Sequence, residues 1–216
     1  MRSISEKIAN LRVEYSLKAF DESQLVQNPF SLFKIWIEEA IIAEVNEPNA
    51  MTLATVKEDG SPSARIVLLK GVDERGFSFY TNYKSSKGNE LAQNNKVALV
   101  FCWLELQRQV RIEGTVEKLS NEESLQYFQT RPLSSQIGAF ASPQSQLIKS
   151  RAQLEDKFKE IEAKFANQTI PLPPNWGGFL VKPHKFEFWQ GRKSRLHDRF
   201  LFESNNNNWE INRLAP

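Results

Sequence analysis

Residues 51–82 read MTLATVKEDGSPSARIVLLKGVDERGFSFYTN, and the fold class turns on this stretch. Three apolar runs, MTLATV, ARIVLLK and FSFYTN, are separated by KEDGSPS and GVDERG. Glycine, proline, aspartate and serine in those separators mark turns, while short runs rich in β-branched and aromatic residues read as strands. Two hairpins are expected, with FSFYTN continuing the meander as its third strand. KVALVFCW (96–103) and QRQVRIEGTVEKL (107–119) add strands, with a helix over 87–94 between them. Connections this short leave no room for repeated crossover helices, so the sheet should be largely antiparallel and most simply a barrel.

The flanks read as helices and further strands. A short polar helix is expected over 4–16. Asn28 and Pro29 form a helix start, followed by a stripe of Phe30, Phe33, Trp36, Ile37, Ala40 and Ile41. Ser120 and Glu123 match a capping box, and Pro132 ends that helix. A long helix is expected from Ser145 to Asn167, with Leu154, Phe158, Ile161 and Phe165 on one face. FLVKPHKFEFWQ (179–190) and RLHDRFLFE (195–203) read as strands, and SNNNNW (204–209) as a tight turn into a last one. The fold class is therefore mainly β with flanking helices. One domain is expected over 1–216, with an N-terminal segment at 1–20 and C-terminal strands within 173–216.

Composition narrows the function. The 216 residues are 40% hydrophobic and 25% charged, with a formal net charge of +2. That balance argues against a nucleic-acid-binding domain, so any basic patch must be local. Cys102 is the single cysteine, which rules out an intrachain disulfide and suits a reducing, cytoplasmic setting. No signal peptide or membrane span is expected. No His/Cys/carboxylate set has metal spacing, and no P-loop or GxGxxG occurs.

Against that balance, FWQGRKSRLHDRF (188–200) concentrates cation beside Trp189. On a strand, Arg195, His197 and Arg199 would share one face, with Leu196, Phe200 and Phe202 mostly opposite. A cationic strand is more often a solvated outer face. Trp189 and Gly191 point instead to a flat anionic ligand, since arginine stacks on rings and pairs with phosphate. Arg65 and Lys70 bracket RIVLLKG, and Ser85, Ser86 and Lys87 open a helix whose N-terminus suits a phosphate. Tyr127 and Arg131 are four apart on the capped helix, with Ser135 nearby. Taken singly, each of these clusters has a commoner structural explanation: a serine cap, or a surface contact.

Together, RIVLLKG, FYTNYKSSKG, RQVRIEGTVEKLS, YFQTRPLSSQIGA, SPQSQ and EFWQGRKSRLHDRF…LAP resemble, in order and spacing, the motifs of the pyridoxamine 5′-phosphate oxidase family. The likeness runs from about Leu11 to Pro216. It implies an FMN-binding split β-barrel of Greek-key type, homodimeric, with FMN at the subunit interface. It also implies oxidation of pyridoxamine or pyridoxine 5′-phosphate to pyridoxal 5′-phosphate by hydride transfer from C4′ to FMN. Oxygen would reoxidise the flavin to give hydrogen peroxide, and the amine substrate would release ammonia, in the making and salvage of the vitamin B6 cofactor.

By the same resemblance, Arg65, Lys87 and Ser145 would hold the FMN phosphate and ribityl chain, with Gln144 close by. Ile66, Val67, Leu68 and Leu69, with Lys70, Tyr80 and Thr81, would line the cofactor; Gln109, Trp189 and Arg199 would complete its pocket. Ser86 stands where the family often carries arginine. Lys70, Tyr127, Arg131 and Ser135 match the substrate-phosphate set, and Arg195 and His197 the pair over the pyridine ring. Arg12 and Tyr15 match a segment that covers the site, where Val13 replaces a common arginine. A non-catalytic FMN or pyridoxal phosphate carrier would need the phosphate donors but not Arg195 and His197. A nicotinamide-dependent flavin reductase would not need Tyr127, Arg131 and Ser135.

Overall fold

The computed structural model describes residues 3–11, 13–206 and 208–216. Its elements run α1 (Ile4–Ala9), α2 (Pro29–Ile42), β1 (Ala50–Val56), β2 (Pro62–Leu68), β3 (Gly71–Asp73), β4 (Gly76–Asn82), α3 (Ser86–Gln93), β5 (Lys96–Trp103), β6 (Arg108–Lys118), α4 (Asn121–Thr130), α5 (Leu133–Ala141), α6 (Arg151–Lys164), β7 (Trp176–Gln190), β8 (Asp198–Asn205) and β9 (Asn208–Arg213). They group into two compact units. One comprises Met1–Pro48, Phe101–Arg111 and Lys185–Pro216; the other comprises Asn49–Val100 and Ile112–His184. No helix among the described residues is long and apolar enough to cross a membrane.

The strand order is β2-β1-β5-β6-β7-β4-β3, with β8 on β7 and β9 on β8. The sheet is antiparallel with flanking helices, as expected from the turn-separated runs. Among the described residues this order ends at β2 and β3, so pairing does not close the barrel.

The meander reading needs correction. FSFYTN does not continue from β2; it pairs with β3 on one side and with β7 on the other, Phe77 opposite Val181 and Tyr80 opposite Gly178. Phe77, Phe79 and Thr81 are buried, whereas β2 is half-exposed along its length. β4 takes the interior position between β7 and β3, burying Phe77 and Phe79, while β2 is left at the edge although its run is the more aliphatic.

In the second unit, Phe128, Ile137, Ala141, Ile161, Ile170 and Trp176 form the core between α4, α5 and α6. The capping box at α4 is present, with Ser120 and Glu123 bonding each other's backbone N–H. Pro132 ends α4 and also caps α5, a helix that the sequence reading did not separate. The helix expected from Ser145 begins instead at Arg151, where the Ser150 side chain accepts from Gln153 N–H. Ser145 lies in left-handed backbone (φ 69°) that a helix cannot contain.

In the first unit, aromatic side chains pack edge to face: Phe33 on Phe101, Trp36 on Phe188, and Phe20 on Phe200. The α2 start is as read, with Asn28 accepting from Phe30 N–H. Its buried face is Phe30, Leu32, Phe33, Trp36 and Ala40, while Ile41 is 59% exposed, so the apolar stripe is shifted from the expected one. The N-terminal helix stops at Ala9, well short of residue 16.

The C-terminal basic stretch is also corrected. β8 starts at Asp198, not Arg195. Ser194 and Arg195 have φ of 55° and 62° in a tight turn, and Leu196 is 68% exposed. Arg195 and His197 therefore precede the strand and do not alternate with Arg199. The turn forms because Arg192 N–H bonds the His197 ring at 3.1 Å while its guanidinium grips Asp198 at 2.6 Å.

Phe33 is fully buried. Phe33→Ala is expected to cost about 3–5 kcal/mol, and Ser120→Ala about 1 kcal/mol through the lost cap. Urea unfolding midpoints check both; a loss under about 1 kcal/mol for Phe33→Ala would contradict the packing described.

Candidate functional site

The expected site residues fall into clusters, described here within each unit. In the second unit, Ser85 caps α3, which sets Lys87 in its first turn. Lys87 Nζ lies 3.0 Å from Thr81 Oγ1 and 3.0 Å from Gln144 Oε1, so its partners there are neutral. Burial, then the charge of Arg65, push the Lys87 ammonium below its ordinary pKa. Arg65 is different: Nη2 pairs with Glu90 Oε2 at 2.7 Å, and Nη1 donates to Leu53 O at 3.3 Å. Burial would raise the Glu90 carboxyl, but hydrogen bonds from Thr55 and Arg65 outweigh it and hold it low. Arg65 thus has its own anion, and Lys87 lacks one.

Also in the second unit, Tyr80 and Tyr127 stack with ring centres 3.8 Å apart, and Tyr127 lies nearly parallel to Trp176. Arg131 does not continue the face of α4; the helix ends at Thr130, and Arg131 caps it in extended backbone. Its guanidinium nonetheless sits 4.7 Å over Trp176. Arg131 Nη1 is buried with no hydrogen-bond partner. Burial holds this guanidinium below its usual pKa, with Tyr127 opposing slightly. A recess of about 1080 Å³ touches both Gln144 and Trp176.

In the first unit, Tyr15 packs edge-on against Trp189 and His197, each 5.7 Å away, and Trp189 and His197 are 4.6 Å apart. Tyr15, Arg195 and His197 line a recess of about 490 Å³ with Leu11, Val13 and Glu14. The Arg192 N–H can only donate, so His197 Nδ1 carries a lone pair and the neutral ring keeps its proton on Nε2. Burial, then Arg195 and Arg199, lower the His197 pKa, and Asp198 opposes them.

Other expected residues stand apart from these contacts. Arg199 is paired by Glu187 Oε1 at 2.8 Å and donates to Ala215 O at 2.7 Å, so it is not a free cation. Ile66, Val67 and Leu68 lie on the half-exposed edge strand β2; Leu69 is buried just beyond it, and Lys70 is exposed. Lys70 lies beyond the end of β2 at Leu68. Ser86 and Ser145 are exposed, Ser135 and Gln109 half-buried, and Arg12 lies outside the described residues. No cluster of histidine, cysteine and carboxylate that could hold a metal occurs among the described residues.

Sequence reasoning missed the carboxylates Glu90 and Glu187, the aromatic shelf Trp176, and Gln107. Glu90 carries a legible signal, since it follows Lys87 by three residues and shares its helix face. The others depend on tertiary contacts.

Comparisons with known proteins bear on these clusters. Residues 37–165 match the family described as pyridoxamine 5′-phosphate oxidase, and residues 176–216 the pyridoxine 5′-phosphate oxidase C-terminal dimerisation region. A pyridoxine/pyridoxamine 5′-phosphate oxidase of Aliarcobacter butzleri is 55% identical over 210 residues, covering 97% of this chain and 99% of its own. One from Trichormus variabilis is 56% identical over 210 residues, covering 97% and 98%. The crystal structure of PhzG from Burkholderia lata, in complex with tetrahydrophenazine-1-carboxylic acid, superposes with a TM-score of 0.87 at 30% identity, covering 93% of this chain and all of that one.

His197 is expected to be neutral at pH 7 with its proton on Nε2, and to titrate below the ordinary 6.5. Long-range ¹H–¹⁵N spectra check this, with His184 as the only other histidine. Because the folded ring binds a proton less readily than the unfolded one, this group costs stability as pH falls below about 6.5. A midpoint above 6.5, or a proton on Nδ1, would contradict the Arg192 contact.

Proposed function

The chain belongs to the pyridoxamine 5′-phosphate oxidase family, and from that premise we propose that it oxidises pyridoxamine and pyridoxine 5′-phosphate to pyridoxal 5′-phosphate with FMN, as a homodimer. As a family member it is an oxidoreductase of B6 metabolism. The observation that carries the finer reading is Arg131, whose buried Nη1 has no partner beside Tyr127. A buried donor left unpaired is costly, and a phosphate oxygen removes that cost. This favours a small phosphorylated substrate over an unphosphorylated ring compound.

The residues present also fit FMN. Lys87, half-buried and matched only to neutral groups, suits a phosphate monoester at the start of α3. On this reading Arg65, Lys87, Gln144 and Ser145 hold the cofactor's phosphate and ribityl chain, with Ile66 to Leu69, Tyr80 and Thr81 along it and Gln109, Trp189 and Arg199 at the ring. When bound, FMN supplies the two-electron acceptor, taking hydride from C4′ of the vitamer and handing the electrons to oxygen to give hydrogen peroxide.

The chain's own residues do the rest. Tyr127, Arg131, Ser135 and Lys70 fix the substrate phosphate, which orients the ring. His197 offers a fixed Nε2–H donor to an acceptor on that ring, the phenolic oxygen being the natural one. Arg195 adds positive charge on the same recess. An uncharged imidazole between two arginines does not repel a substrate amine, and the amine must be neutral for its carbon to release hydride. Tyr15 covers this edge and limits water. Arg199 reaches the ring already neutralised by Glu187, so its role is directional hydrogen bonding more than net charge.

The purified protein should be yellow, and in air with pyridoxamine 5′-phosphate it should form peroxide and aldehyde; a colourless protein that refuses added FMN would end this reading. Arg131→Ala is expected to raise KM by about 2 kcal/mol, roughly thirtyfold, with kcat little changed. Arg195→Ala is expected to lower kcat while FMN stays bound. Loss of FMN in Arg195→Ala with otherwise intact kinetics would reassign that residue.

A further inference from the structure

Residues 10–11 and 13–19 form neither helix nor strand, and all of them except Tyr15 are exposed. Such a segment needs specific ties to stay in place. Its ion pair, Lys18 with Glu39 at 3.7 Å, is exposed and contributes little. The stronger ties converge on Gln107. Its Oε1 accepts from Ser16 N–H at 2.9 Å and from Leu17 N–H at 3.3 Å.

Gln107 is held for this task. It follows the turn Leu104–Leu106 with φ 55° and ψ 42°, a left-handed conformation that glycine or asparagine would adopt more readily. Its carbonyl accepts from Gly191 N–H at 2.8 Å and from Gln190 Nε2 at 3.2 Å. The backbone is thus fastened to the end of β7, while the side chain reaches the N-terminal segment. Gly191 completes the arrangement: a Cβ there would lie 2.8 Å from Tyr15 Cγ. Only a residue without a side chain lets the Tyr15 ring approach so closely.

We propose that Gln107 is a positioning residue for the oxidation, anchoring the covering segment so that Tyr15 presses on Trp189 and His197. The proposal rests on the site reading above, and its test separates the two. In the FMN-loaded enzyme, trypsin cleavage after Lys18 reports undocking of the segment independently of turnover. Gln107→Ala removes the acceptor; Gln107→Glu keeps an oxygen able to receive both N–H groups; Gly191→Ala pushes chiefly on Tyr15, its added carbon also lying 3.1 Å from Gln107 Cβ.

Cleavage after Lys18 is expected to be about tenfold faster in Gln107→Ala, with KM for pyridoxamine 5′-phosphate raised about fivefold and kcat changed less than about twofold. Gln107→Glu should return both to within about twofold of the parent. Gly191→Ala should resemble Gln107→Ala, and decides the matter if the latter does not fold. Unchanged cleavage in Gln107→Ala, or no rescue by Gln107→Glu, overturns the proposal. If cleavage follows the expected pattern but the parent enzyme does not oxidise the substrate, the anchoring stands and the activity reading falls.

Discussion

A cation withdrawn from water must find an anion or a set of strong acceptors, and the protein's three most buried arginine pairs can be understood from that requirement. Removing such a charge from water costs several kcal/mol unless it is matched. Arg65 meets Glu90, Arg108 meets Glu39 and Arg199 meets Glu187. Once these pairs are made, Lys87 has only neutral hydrogen-bond partners and Arg131 has a buried nitrogen with no hydrogen-bond partner. Lys87 and Arg131 are thus partly buried cations with no carboxylate bonded to them, at places where phosphates are proposed to bind.

The same accounting changes the meaning of the basic stretch at 188–200. Read as sequence, Arg195, His197 and Arg199 are three cations on one strand face. In the structure Arg199 is spoken for, His197 is neutral with a fixed tautomer, and Arg195 stands in the preceding turn. Asp198 organises this region by accepting from Phe20 N–H, Arg192 and Arg213 at once. What the clustered cations supply is a donor geometry more than a field.

Local signals were legible. Asn28-Pro29 and the Ser120–Glu123 box mark helix starts because capping is decided within one turn, and the turn-rich separators in 51–82 mark antiparallel strands because connections that short leave no room for crossovers. Strand neighbours were not legible: β4 pairs with β7, a choice made by burial of Phe77 and Phe79 far along the chain. α6 starts later than expected because Ser145 lies in left-handed backbone and Ser150 is the serine whose side chain accepts from Gln153 N–H. For the site, family likeness named the residues proposed to hold phosphate, and it named Tyr15, Trp189 and His197, which the structure brings into contact. Their carboxylate partners were not named: Glu90 shares a helix face with Lys87 but bonds Arg65 on β2, and Glu187 reaches Arg199 across paired strands.

The compact unit that contains α2, β8 and β9 is assembled from three separate stretches of chain, Met1–Pro48, Phe101–Arg111 and Lys185–Pro216. During synthesis on the ribosome, its first aromatic residues emerge long before Phe186, Phe188, Phe200 and Phe202 exist to cover them. The intervening stretch must wait as well, because β4 draws its partner from residues 176–181. Phe30, Phe33 and Trp36 are thus left as exposed apolar surface on the nascent chain for most of translation, a natural target for chaperones that bind emerging polypeptides.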